Sequence, residues 1–185
     1  LDDIQRTKQH RLSTDQEKVL AEVRLLAGAP SNIFSVFSFA ECPFPEITRS
    51  DGQTVKLNQA GYSKYRAVPN RQDRQSVFGA FFGTYQQFEQ TFGSTLSAQI
   101  NSETFYARQR KYDSTLHRSL DAYNIPVQVY QKLVDQVNAN LDSFHRYLKL
   151  KQRMLGVEQL AYYDVYAPVV KEVSLEYSYE QAKQL

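Results

Sequence analysis

The sequence predicts a mainly α protein: long antiparallel helices, one small β-hairpin and a short extended segment near the C-terminus. Three observations carry that prediction. Val77, Phe78, Phe81, Phe82, Tyr85, Phe88, Phe92 and Leu96 recur at the i, i+3, i+4 spacing of one helix face, and Tyr130, Leu133, Val134, Val137, Leu141, Phe144 and Leu148 do so again. Asp51-Gly52 separates the alternating runs Ile47-Thr48-Arg49 and Thr54-Val55-Lys56-Leu57, a hairpin signature because the turn needs positive φ. Leu160-Ala161-Tyr162-Tyr163-Asp164-Val165-Tyr166-Ala167 is dense in aromatic and β-branched residues and ends at Pro168, a pattern that favours extended chain.

Leu1 to His10 reads as the end of a helix. Ser13-Thr14-Asp15-Gln16-Glu17 starts another, with Ser13 or Thr14 as cap and Gln16 or Glu17 reaching back to it. Val19, Leu20, Val23, Leu26 and Ala27 give it an apolar face, and Gly28 with Pro30 stops it. Ser31 to Phe39 predicts a short helix with Ile33, Phe34 and Phe37 turned inward, ended by Pro43 and Pro45. After the hairpin, Gln59 to Arg66 forms a short helix carrying Tyr62 and Tyr65. Asn70 caps the long helix that follows. Within it, Gly79, Gly83 and Gly93 each weaken helicity by about 1 kcal/mol relative to Ala, a cost that close approach of a neighbouring helix would explain. The pattern runs on through Ile100, Phe105, Tyr106, Tyr112, Leu116 and Leu120 as two helices with a kink. Asn124-Ile125-Pro126 opens the next helix, since Pro suits a first turn, and Gly156 caps its end. Ser178 is the expected cap of a last helix beginning at Tyr179.

Composition narrows the function. Across 185 residues, 22 basic residues against 20 acidic leave a net charge of +2, which argues for no nucleic acid and no membrane surface as partner. Thirteen Tyr and 11 Phe supply a core, each buried ring removing roughly 150–250 Å² from water. A lone cysteine, Cys42, excludes a disulfide framework and a cysteine-based zinc site, and fits a reducing compartment. Purely apolar stretches are only a few residues long, so no transmembrane helix is expected, and Leu1-Asp2-Asp3-Ile4 is unlike a secretion signal. The chain starts at Leu1 inside a helical pattern and stops at Leu185 about one turn into another, so both ends read as cut from a longer protein.

Chemistry-bearing motifs are few. His10, His117 and His145 are each followed by Arg and none has a second His four residues away, so a His-Glu-x-x-His zinc helix is absent. Asp113, His117 and Asp121 share one helical face; a solvated polar edge accounts for them better than a metal, which needs more ligands and an ordered surround. Cys42 has no His near it in sequence to act as a base, and reads as a small buried thiol. Neither Gly-x-Ser-x-Gly, a Walker loop nor Gly-x-Gly-x-x-Gly occurs. The run Arg108-Gln109-Arg110-Lys111, flanked by Tyr106 and Tyr112, reads as a solvated face before it reads as a phosphate site. Tyr162, Tyr163 and Tyr166 suit either a peptide groove or a packed core. Taken alone, these residues hold no self-sufficient active site.

A series of blocks nevertheless resembles a known family. Leu12-Ser13 to Gly28-Ala29-Pro30-Ser31, Phe44-Pro45-Glu46-Ile47, Asp51-Gly52 and the helix start from Asp73-Arg74 to Phe78 are similar to oligoendopeptidase F. So are Phe105-Tyr106-Ala107-Arg108 with Arg110 and Tyr112, Asn124-Ile125-Pro126 with Val129-Tyr130, and Leu155-Gly156 followed by Tyr163-Asp164-Val165-Tyr166-Ala167-Pro168. The order and spacing of the blocks match along nearly the whole chain.

The resemblance implies part of a thimet-oligopeptidase-like zinc metallopeptidase, largely helical and cytoplasmic, that hydrolyses short peptides in an enclosed channel. It divides the chain into an N-terminal helical segment (1–36), an oligopeptidase-F-type helical domain (37–112) and the beginning of the peptidase domain (113–185). The zinc helix, a Glu ligand and the transition-state-stabilising His and Tyr of the family fall beyond Leu185, so no catalytic residue and no metal ligand transfers to a position here. In the intact enzyme, zinc and the Glu of the zinc helix would activate water for attack on a peptide carbonyl. What transfers is looser: Tyr163, Tyr166, Arg110 and Tyr112 as peptide-contacting or channel-wall residues, zinc in the intact enzyme but none held by this segment, and the missing C-terminal catalytic part as partner. The segment alone is expected to be inactive. If it is a fragment, its long helices should expose apolar stripes. A second reading stays open, a self-contained helical module that binds a peptide or partner helix and does no chemistry.

Overall fold

The computed structural model describes residues 2–170 and Lys183; the expected cap at Ser178 lies outside the described residues. Helix α1 (Asp2–Lys8) leads into α2 (Thr14–Ala27). The Gln16 N–H donates to the Ser13 hydroxyl at 3.4 Å while the Ser13 N–H donates to the Gln16 side chain at 3.2 Å, the reciprocal cap that the sequence predicts.

Gly28 does not break the helical path. It keeps right-handed backbone (φ −80°, ψ −15°), so α3 (Ala29–Val36), with Pro30 in its first turn, follows directly and runs into a π-turn at Phe37–Glu41. Thr14–Glu41 thus forms a continuous 28-residue run, long and apolar enough by length and composition to cross a membrane. That corrects the expectation that no stretch would suffice: Gly28 and Pro30 join two short apolar segments rather than separating them. A single helix of this kind is weak evidence of a membrane span, because signal sequences and core helices meet the same criterion.

The hairpin forms where the sequence predicts it. Strands β1 (Glu46–Thr48) and β2 (Thr54–Lys56) pair antiparallel with Ile47 opposite Val55, and Gly52 takes φ +82° in the turn. The turn is pinned by Asp73, whose carboxylate accepts from the Ser50 N–H and the Ser50 hydroxyl, each at 2.8 Å. Helix α4 (Gln59–Tyr65) is capped by Asn58, and Gly61 is required in it because a Cβ there would sit 2.0 Å from the Lys56 carbonyl oxygen.

Asn70 accepts from the Asp73 N–H at 3.1 Å and opens α5 (Arg71–Gln87). The stripe read as one helix breaks at Phe88 (φ −113°, ψ 21°), earlier than expected, and α6 (Glu89–Gln109) begins there. Short α7 (Thr115–Asp121) follows, capped by Ser114. The second apolar stripe is two helices rather than one, α8 (Val127–Ala139) and α9 (Leu141–Leu155). They part at Asn140 (φ −112°, ψ 11°), whose side-chain amide donates to the Gln136 carbonyl at 2.7 Å and so competes with the backbone ladder. Gly156, at φ +65°, ends α9 as expected.

Two further expectations need correction. Tyr162–Asp164 is a 3₁₀ turn, not extended chain. Local hydrogen bonds outweigh β-propensity there: the Asp164 N–H donates to the Ala161 carbonyl at 2.9 Å, and the Ala161 N–H donates to the Asp164 carboxylate at 3.0 Å. The helix glycines do not mark a close approach, since a Cβ on Gly79, Gly83 or Gly93 would meet nothing within 4 Å among the described residues.

The chain divides into two compact units, one from Leu1–Phe44 and Phe82–Phe144, the other from Pro45–Phe81 and the described part of His145–Leu185. In the second, Leu57 and Val77 are fully buried, and the Tyr62 and Phe81 rings stack at 4.2 Å. In the first, Phe37 meets Phe88 at 4.9 Å and Phe92 at 5.5 Å, seating the π-turn on α6. Ile33 and Phe34 do not turn inward as the spacing predicts but stay exposed, Phe34 touching Phe92 edge-on. No described residue of α8 is buried, and Val129, Leu133 and Val137 lie exposed along it.

Candidate functional site

The four expected peptide-contacting residues fall into two sets, one in each unit. Tyr163 and Tyr166 flank Asp164 in the second unit, on the 3₁₀ turn and the residues after it. Asp164 is fully buried, and α5 supplies its partners: Arg71 at 2.9 and 3.1 Å, and Arg74 at 2.9 Å. Arg74 also donates to the Tyr163, Val68 and Pro69 carbonyls, so one guanidinium holds the turn, the loop before α5 and the carboxylate together. Burial by itself would raise the Asp164 carboxyl, but hydrogen bonds from Arg71, the Ala161 N–H and Arg74 outweigh it and hold the group at about 2.

This staple leaves the tyrosines at the surface of the turn. Tyr166 is half-exposed with the Arg66 guanidinium 3.7 Å from its ring centre, and Arg71 lies 5.2 Å from the ring of Tyr163. Tyr162 is the most exposed of the three and packs its ring near Phe78, 5.6 Å away.

Arg110 and Tyr112 lie in the first unit, around His10. The His10 ring stacks on Tyr112 at 3.6 Å, and its Nδ1 donates to the Arg110 carbonyl at 2.8 Å. Tyr112 donates its hydroxyl to Asp121 at 2.7 Å, and Arg6 of α1 grips the same carboxylate and donates to the Asp121 carbonyl at 2.6 Å. Burial, then the bond to Asp121, pushes the Tyr112 phenol up to about 12. Burial also works to raise Asp121, yet Tyr112 and Arg6 bring its carboxyl below the ordinary range. Arg110 forms a two-point pair with Glu17 at 2.8 and 3.0 Å, and that bond is the main reason the Glu17 carboxyl is lowered.

A metal does not fit these residues. Among the described residues no three of His, Cys, Asp and Glu converge on one point. Asp121 is taken by Arg6 and Tyr112, while Asp113 is almost wholly exposed and lies 3.4 Å from His117. Cys42 is buried, which pushes its thiol up and away from the nucleophilic form.

What decides the family is similarity along the chain. The sequence profile of peptidase family M3 matches residues 64–185, and that of oligopeptidase F matches residues 1–44. This chain belongs to peptidase family M3. M3 relatives align with nearly all of it: oligopeptidase PepF of Bacillus subtilis is 34% identical over 99% of the chain, and group B oligopeptidase PepB of Streptococcus agalactiae is 33% identical over 95%. The crystal structure of oligoendopeptidase-F from Enterococcus faecium superposes with a TM-score of 0.87 and 37% identity over 91% of the chain. The M3 chain spans only 27% and 29% of the two relatives' lengths and 32% of that crystallised chain.

Several residues that matter to these clusters carry no sequence signal of their function. Asp164 meets Arg74 across 90 positions, and Asp121 meets Arg6 across 115. A carboxylate inside an aromatic run, as Asp164 is, was the available hint.

Proposed function

We propose that this chain is the scaffold-bearing part of a metal-dependent oligopeptidase that hydrolyses short peptides. Its metal ligands, zinc-binding by the family resemblance, lie outside the residues described. In this reading Tyr163 and Tyr166 offer ring faces to a peptide, while Arg110 and Tyr112 support the wall that carries such contacts, and the setting is cytoplasmic. The observation that supports it most is the M3 profile match over residues 64–185, joined to relatives named as oligopeptidases that align with 95–99% of the chain.

The test compares the 185-residue chain with the whole gene product on a fluorogenic short peptide, with and without a chelator. The expected result is no turnover by the chain alone, and turnover by the gene product that a chelator abolishes and Zn²⁺ restores. Turnover indifferent to chelation would sink the metal-dependent reading. A gene product ending at Leu185 without peptidase activity would favour the helical interaction module, for which the exposed apolar face of α8 is the supporting feature.

A further inference from the structure

The first unit holds a polar cleft of about 660 Å³ walled by α2, α6 and α7, apart from the four residues discussed except for Arg110 at its edge. Arg24, Arg110 and Arg118 line it together with Glu17 and Glu103. Two of the arginines are already committed: Arg110 to Glu17 at 2.8 Å, and Arg118 to Glu103 at 2.5 Å. Arg24 has no ion-pair partner among the described residues, so three arginines against two glutamates leave one positive charge in the cleft. Tyr106, in the same wall under the Arg118 guanidinium, has a buried hydroxyl with no hydrogen-bond partner among the described residues. A buried phenol without an acceptor is uncommon, because the bonds it gave up to water are not replaced.

We propose that this cleft binds the C-terminal carboxylate of a short peptide, with Arg24 as its charge partner and the Tyr106 hydroxyl as a second donor. A planar guanidinium matches a carboxylate in a two-point hydrogen-bonded pair. The single uncompensated charge suits a monoanion; a phosphate dianion would bring excess negative charge beside Glu17 and Glu103. The volume is that of a site for a small molecule rather than for a lone ion. That the carboxylate belongs to a peptide rests on the oligopeptidase reading; the preference for a monoanion does not.

The test is a titration of the isotope-labelled 185-residue chain, followed by NMR, with N-acetyl-Ala-Ala, its C-terminal amide and inorganic phosphate. The free acid should shift resonances of α2 and α6 saturably, and the amide should bind at least about tenfold more weakly, the worth of one charge-assisted pair. Arg24→Gln, a change at an exposed position, should lower affinity for the acid by about the same factor. Tyr106→Phe should weaken acid binding while leaving the free chain as stable as before, because the hydroxyl it removes has no partner to lose. Equal binding of acid and amide, unchanged affinity in Arg24→Gln, tighter binding of phosphate than of acid, or no binding at millimolar concentration would each overturn the proposal. None of these outcomes bears on turnover by the gene product, so this proposal and the oligopeptidase reading fail separately.

Discussion

Arg74 and Asp164 stand 90 residues apart in the chain and meet at 2.9 Å, with side chains 3% and 0% exposed. Such a pair is costly to desolvate, and its net value depends on how fully each partner's hydrogen bonds are met. Here they are met: Arg74 reaches three carbonyls besides Asp164, and Asp164 also accepts from Arg71 and the Ala161 N–H.

Removing one partner should therefore be much worse than the pair's own worth. Asp164→Ala strands Arg74 in the interior and is expected to destabilise the chain by about 3–5 kcal/mol. Arg71→Gln touches a guanidinium nearly half exposed and should cost clearly less, because Asp164 keeps Arg74 and the Ala161 N–H. Urea unfolding of the two variants checks the contrast; similar losses would mean that Arg71, not Arg74, is the partner that matters.

The same carboxylate predicts an acid limb. Its folded value of about 2 lies below the ordinary 3.8, so the stability it contributes is complete above the ordinary value and is lost as pH falls through the folded one. Unfolding free energy measured from pH 5 down to pH 2 should fall less steeply in Asp164→Asn than in the wild type, in a window of about pH 4 to 2.

Tyr112 gives a signal at the other end of the scale. Its phenol, pushed up to about 12, should remain protonated in ultraviolet titration at a pH where exposed tyrosines have ionised. Tyr112→Phe removes the bond to Asp121 but leaves Arg6 in place, and should cost about 1–2 kcal/mol.

At the start of α2, Ser13→Ala should cost about 1 kcal/mol and Ser13→Gly only a few tenths. An equal loss in both would show that the hydroxyl does not cap in solution.

Exposed Val129, Leu133 and Val137 on α8 should bind a hydrophobic dye. Glutamate at Leu133 and Val137 should reduce the dye signal while changing stability by no more than about 0.5 kcal/mol. Undiminished fluorescence would place the apolar surface elsewhere.

Much of the local architecture was legible in order along the chain. Ser13 with Gln16, Asn70, Asp51-Gly52 and Gly156 act on neighbours within a few residues, so their roles can be read without knowing the fold. Prediction erred where a local preference met a competing bond. Asn140 split the second stripe with its own side chain, and Asp164 drew an aromatic run out of extended geometry. The expected peptide-contacting residues were legible as candidates, but their surroundings were not: nothing near Tyr112 in sequence points to His10, and nothing near Tyr166 points to Arg66.

The sequence by itself determined the mainly α class, the caps, the hairpin and the family, because each rests on short-range backbone chemistry or on the order of blocks along the chain. Tertiary structure alone decided which charges became partners. Arg6 with Asp121, Arg110 with Glu17 and Arg74 with Asp164 join residues with no local relation, and of the three only Arg74 with Asp164 is taken fully out of the water that would otherwise screen it. By the same means it left Arg24 without a countercharge and the Tyr106 hydroxyl without an acceptor among the described residues.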